Sequence, residues 1–295
     1  MKLAALALAG LAACGSAAPP PPLAPPTAKP AAFTPTAFSV KVSGEGRPVI
    51  FIPGLASPGE VWDGTVAHLG GKVQAHVLTL AGFAGQPAIA APVMQQVHDQ
   101  IVQYVDANHL DHPIVVGHSL GGVMSLWLAE TDPAIGGVVD VDGLPFLAAV
   151  MDPTATSDKA MQMGAGMRQQ MLAAPHDQFV GFMRQFLGAM VTDPANAKML
   201  DDAAEKSDQT TVANAFAEMM ALDLRPDLGK ITMPVLIVAA GDSQLPRDKL
   251  EASWKTQVDA IPHHELVLVD GAKHFVMLDK PDAFYAQVDK ALSAK

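Results

Sequence analysis

The chain has 295 residues, long enough for one large α/β domain with some surplus. Its formal charge of −11, with no Lys/Arg run, argues against binding nucleic acid or an anionic membrane surface through a basic patch. A single cysteine, Cys14, leaves no internal disulfide framework from which to read a compartment.

The N-terminus does speak to compartment. Met1-Lys2 precedes an apolar or small run from Leu3 to Ala13, too short to span a bilayer but suited to a signal peptide over residues 1–13. Leu11-Ala12-Ala13-Cys14 resembles a bacterial lipobox, which implies cleavage before Cys14 and acylation of that cysteine. Several acyl chains, at about 0.8 kcal/mol per buried CH₂, make such an anchor stable. Gly15-Ser16 after the cysteine, with no acidic residue, resembles outer-membrane sorting. The expected location is therefore the cell envelope, as a periplasm-facing or outer-membrane lipoprotein held by its lipid only, or secreted if Cys14 is not acylated. Pro19 to Pro22, Pro25-Pro26, Pro30 and Pro35 make residues 14–37 an extended Pro/Ala tether, because proline fixes φ and removes donors.

Phe38-Ser-Val-Lys-Val alternates as a strand. Gly44-Glu-Gly46 then turns the chain toward Pro48-Val-Ile-Phe-Ile52, a fully apolar strand that runs into Pro53-Gly54-Leu55-Ala56. Val73 to Leu80 is a further strand, followed by the apolar Ala81-Gly-Phe-Ala-Gly85, read as a pocket rim or a tight connection. Val93, Val97, Ile101 and Val105 carry a helical period over residues 92–108, with His98 and His109 placed at the surface.

Ile114-Val-Val-Gly-His-Ser119-Leu-Gly-Gly122 is a short β-branched run ending in Gly-x-Ser-x-Gly, with a helix predicted from Val123 to Glu130. Strand, tight turn and helix are the context in which this pentapeptide holds a serine exposed at a sharp turn, so Ser119 is the candidate nucleophile. The glycines follow from crowding, since side chains two residues to either side would collide. His118 points elsewhere around the turn. Gly136 to Asp142 is the next strand, with Asp140 and Asp142 at its end.

Regular alternation stops between residues 145 and 230, which read as helices separated by Pro153, Pro175, Pro194 and Pro226 and hold ten of the fifteen methionines. Methionine is flexible and polarizable, so a helical insertion of this composition suits a deformable apolar pocket. Met233-Pro-Val-Leu-Ile-Val-Ala-Ala240 is a buried strand ending at Asp242. Arg247 to Val258 is a helix, His264 to Val269 the last strand, and Gly271-Ala-Lys-His274 precedes a helix from Pro281 to Leu292. His263-His264 opens a strand, but no carboxylate cluster or His-x-Glu spacing completes a metal site.

Serine, aspartate and histidine thus each follow a predicted strand, in the order Ser119, Asp242, His274, and the chain from Pro48 to Leu292 resembles the α/β-hydrolases. That resemblance implies a mostly parallel sheet flanked by helices, a core of residues 38–144 and 231–295, and a helical cap of residues 145–230 after the strand ending near Asp142. It also implies Ser119 as nucleophile, His274 as base and Asp242 as acid. Asp142 is a competitor for the acid, because some lipases resembling this fold take theirs from that position. Backbone N–H groups of Leu120 and Leu55, or less favourably Ala56, would form the oxyanion hole, with Pro53 standing where the family often has histidine. Such chemistry needs no metal or organic cofactor. The implied activity is hydrolysis of a small carboxylic ester with an apolar acyl part. Amide, lactone, thioester or carbon–carbon cleavage by the same triad, and a non-catalytic cell-surface binding protein, remain alternatives.

Overall fold

A computed structural model of the protein describes residues 33–242 and 245–293. The predicted signal peptide, Cys14 and most of the tether lie outside the described residues. The tether ends earlier than expected: the backbone N–H groups of Thr36 and Ala37 donate to Gln100 Oε1, and Ala37 is fully buried. The described residues form a single compact unit.

Seven strands build one sheet: β1 (Phe38–Ser43), β2 (Arg47–Ile52), β3 (Val73–Leu80), β4 (Ile114–His118), β5 (Gly137–Val141), β6 (Val235–Ala240) and β7 (His264–Val269). Their order is β1-β3-β2-β4-β5-β6-β7, with β1 antiparallel to β3 and every other pairing parallel. The two strands flanking the glycine turn are therefore not neighbours, because β3 lies between them. The central strands β4 and β5 are buried at every residue, which explains their unbroken apolar runs: helices cover both faces, so neither face needs polar residues.

Alternation within β2 sends Phe51 to one face, against Trp62 at a ring separation of 5.6 Å, and Ile50 and Ile52 to the other. The flanking helices are α1 (Asp63–Leu69), α2 (Val93–Ala107), α3 (Leu120–Thr131), and, near the C-terminus, α9 (Arg247–Val258), α10 (Val276–Asp279) and α11 (Pro281–Ser293). His98 on α2 is buried, not superficial as expected: its ring stacks on Trp127 at 4.4 Å and Nε2 meets the Thr131 hydroxyl at 2.8 Å.

Between β5 and β6 run α4 (Ala148–Met151), α5 (Ser157–Ala173), α6 (His176–Ala189), α7 (Pro194–Glu205) and α8 (Gln209–Ala221). Pro194 begins α7 directly after Asp193, whose carboxylate caps it. The break between α7 and α8 has no proline; Asp208 makes it by accepting from Thr211 N–H at 2.7 Å. The glycine-rich connection after β3 docks on this break. Gly85 N–H donates to Lys206 O, Ala84 N–H to Ser207 Oγ, and Gly82 O accepts from Asp208 N–H. A Cβ on Gly82 would stand 2.5 Å from Thr211, so only glycine permits the approach. The connection thus anchors the inserted helices.

Candidate functional site

The topology chooses the place. The chain leaves β2 toward β3 on one side and returns to β4 on the other, so the C-terminal ends of β2 and β4 splay apart at a switch point, where parallel sheets bind ligands. Pro53-Gly54-Leu55 follows β2 and Ser119 follows β4. A Cβ built on Gly54 would lie 3.3 Å from Ser119 Cβ and 2.8 Å from His118 Nδ1, so the two loops touch.

Ser119 has φ 54° and ψ −115°, a conformation costing on the order of 1–3 kcal/mol for a residue with a side chain. The elbow is held by Ser119 N–H donating to Val141 O at 2.9 Å and by Ser119 O accepting from Val123 N–H at 3.0 Å. Its glycines are sterically required. A Cβ on Gly117 would be 1.9 Å from Gly121 O, and one on Gly121 would be 2.2 Å from Ile52 O.

His274 lies between β7 and α10. Asp279 pins this loop to the chain after α6, accepting from Lys273 N–H at 2.9 Å and from Thr192 N–H at 2.8 Å. The imidazole Nδ1 meets Asp142 Oδ2 at 2.6 Å, with both side chains largely buried. Asp142 Oδ1 accepts from Ala240 N–H at 2.8 Å, so both carboxylate oxygens are held. The carboxylate that meets His274 is thus Asp142, where the sequence reading expected Asp242. Asp142 follows β5 at φ 55°, its N–H donates to Val238 O, and it takes the place between the end of β6 and the imidazole. Asp242 lies two residues beyond Ala240, exposed, its carboxylate without a hydrogen-bond partner among the described residues.

Two buried groups support this pair, and sequence reasoning missed both. His118 lies closer to His274 than expected. Its ring is 4.7 Å from the His274 ring and 4.2 Å from Phe275, and its Nε2–H donates to His274 O at 3.1 Å. Burial first, and the neighbouring His274 second, hold its pKa well below the ordinary histidine value, so it is a neutral donor. Asp140 is fully buried and accepts from Gly143 N–H at 2.9 Å. Burial, with the Asp142 charge adding to it, raises its pKa well above the carboxylate range. A neutral acid there adds no second negative charge beside Asp142.

The sequence model of the Alpha/beta hydrolase family matches residues 49–287. The chain belongs to that family. This α/β-hydrolase is 24% identical over 253 residues to the pimeloyl-acyl-carrier-protein methyl ester esterase of Vibrio atlanticus, an alignment covering 84% of the chain and 95% of that enzyme. Its fold is similar to that of an enol-lactonase from Burkholderia xenovorans, with TM-score 0.72, 17% identity and coverage of 87% and 96% of the two chains. A thermophilic esterase from Thermogutta terrifontis gives TM-score 0.71 at 16% identity, covering 86% and 92%.

Cavities of the hydrolase open around Ser119 and Leu55 at the C-terminal end of the strands. A narrow one of about 110 Å³ joins Leu55, Ser119 and His274 to Phe186, Met190, Phe216 and Met219 of the inserted helices and their connections. Leu55, Phe186 and Phe216 also line a chamber of about 310 Å³ walled by Met167, Met171, Phe179, Phe182 and Met183, with no charged side chain among the described residues. Ser119, Asp142, Asp242 and His274 share a further cavity of about 300 Å³ with Leu147, Val150 and Trp254. A larger cavity of about 520 Å³ lies at the opposite, N-terminal end of the strands, lined by Arg47, Ile114, Val235 and His264, away from the switch point.

Proposed function

We propose that this hydrolase cleaves carboxylic esters through an acyl-enzyme, with Ser119 as nucleophile, His274 as base and Asp142 as acid. The observation that carries the reading is the 2.6 Å hydrogen bond from His274 Nδ1 to a doubly held Asp142 carboxylate, in one cavity with the strained Ser119. A serine hydroxyl is a weak nucleophile until a neighbouring base takes its proton. His274 Nε2 takes the proton as Ser119 Oγ bonds to the ester carbonyl carbon. Asp142 keeps the other ring proton on Nδ1 and stabilises the imidazolium. The carbonyl oxygen, now carrying the electron pair, accepts from the N–H groups of Leu120 and Leu55, each donor being worth about 10²–10³ in rate. Collapse of the intermediate breaks the carbon–oxygen bond, and His274 returns the proton to the leaving alkoxide. Water repeats the cycle on the acyl-enzyme and releases the acid.

The inserted helices serve as a cap, and the Met- and Phe-walled chamber suits an apolar acyl chain. Esterase activity of a relative aligned over most of both chains supports the choice of bond. The signal-like apolar run of residues 3–13 and the resemblance of Leu11-Ala12-Ala13-Cys14 to a lipobox support a lipid-anchored envelope location.

Labelling of Ser119 by a fluorophosphonate probe, with hydrolysis of p-nitrophenyl esters over a range of acyl lengths, is the expected result. Failure to label would return the chain to a non-catalytic binding role. Preference for matched anilides over esters would move the activity to amides.

A further inference from the structure

We propose that Asp242, free of the triad, makes the cavity on its side of Ser119 a charge-selective site, taking neutral or cationic alcohol groups and rejecting carboxylates. This rests on the ester-hydrolase reading and adds the class of alcohol. The Met- and Phe-walled chamber has no charge among the described residues and suits hydrocarbon, which leaves the 300 Å³ cavity for the alcohol. His274 lines that cavity, as protonation of a leaving alkoxide requires, and it lines the narrower cavity on the acyl side too.

Within that cavity the charges do not balance. Asp142 is matched by its hydrogen bond to His274, whereas Asp242 faces no cation. The other walls, including Leu144, Leu147, Val150, Leu250 and Trp254, are apolar, and no lysine or arginine among the described residues lines the cavity. Arg247, the nearest basic residue in sequence, is paired with Asp270. The net charge of −11 adds long-range repulsion of anions. The indole of Trp254, on the same wall set as Asp242, offers an aromatic surface of the kind that ammonium groups favour.

The test compares the butyrate ester of choline with that of its neutral isostere 3,3-dimethylbutanol, and adds that of glycolate as a smaller, anionic alcohol. At a separation of about 5 Å in near-aqueous surroundings, a unit charge pair alters binding about fourfold, and more as water is displaced. The choline ester is expected to exceed its neutral isostere in kcat/KM by about four- to tenfold, and glycolate to fall below it by a similar factor. Asp242→Asn should bring both ratios close to one, and added salt should shrink them in the unmodified protein. Titration calorimetry of choline against 3,3-dimethylbutanol reads the same preference without turnover, so loss of ester hydrolysis cannot be confused with loss of charge selection. Equal affinities for the two alcohols, or a preference that survives Asp242→Asn, would overturn the proposal.

Discussion

Replacing Asp142 by Asn leaves volume almost unchanged and keeps an oxygen able to accept from Ala240 N–H. On the other branch it sets an NH₂ donor against His274 Nδ1, where the carboxylate oxygen stood at 2.6 Å. The imidazole then protonates at Nε2, the nitrogen that must accept the Ser119 proton. Two losses add. An imidazolium and carboxylate centred about 4 Å apart interact by about 4 kcal/mol at an effective dielectric of about 20. The charge-assisted hydrogen bond contributes about 1.5 kcal/mol more. At about 1.4 kcal/mol per factor of ten, the sum predicts a fall in kcat of about 10⁴. Asp242→Asn, which alters an exposed carboxylate with no hydrogen bond among the described residues, should lower kcat by less than about tenfold. The assay is steady-state hydrolysis of p-nitrophenyl butyrate near neutral pH, with thermal melts to show that both variants fold. A folded Asp142→Asn variant within tenfold of the parent, alongside an Asp242→Asn variant reduced a thousandfold, would refute the assignment.

Four other substitutions test separate parts of the structure. Phe186→Trp narrows the passage that links Ser119 to the larger apolar chamber, and should lower kcat/KM for octanoyl relative to acetyl esters by about tenfold or more; an unchanged chain-length profile would remove the acyl chain from that route. Gly117→Ala places a Cβ 1.9 Å from Gly121 O and should destabilise the fold by about 3 kcal/mol or more, read by denaturant melts. Burial, reinforced by Asp227, raises the Glu130 pKa from 4.5 to about 7. The folded state therefore retains a proton that the unfolded chain releases between these values, stability falls as pH rises across that window, and Glu130→Gln should raise Tm more at pH 8 than at pH 4.5. Cys14→Ser should shift the protein from the membrane to the soluble fraction of cells, and continued membrane association would refute the lipid anchor.

Much of the fold was legible because period and punctuation are local. The buried parallel strands announce themselves as apolar runs, β3, β7 and α9 have the predicted bounds, and Gly117 reports crowding within a few residues of Ser119, whereas Gly121 makes room for the distant Ile52 carbonyl. The insertion was legible as a loss of alternation. Its α7–α8 break was not, since a capping aspartate makes it in place of a proline. Burial of His98 likewise depends on Trp127, which sequence reading had no means of bringing beside it.

By itself the sequence determined that a strained serine would stand at the end of a central strand and that a histidine would follow the last one. Those features depend on short-range sterics and hydrophobic period. Only the tertiary structure decided which carboxylate meets that histidine. Asp142 and Asp242 both follow a buried strand, and β5 and β6 are adjacent in the sheet, so pattern alone ranks them equally. The choice turns on a positive φ at Asp142 and on the N–H of Ala240, which aim one carboxylate inward while the other reaches solvent at the cavity's edge. The same long-range packing brought His118 against His274 and left an uncharged Met- and Phe-walled chamber beside Leu55 and a cavity holding Asp242 beside Ser119.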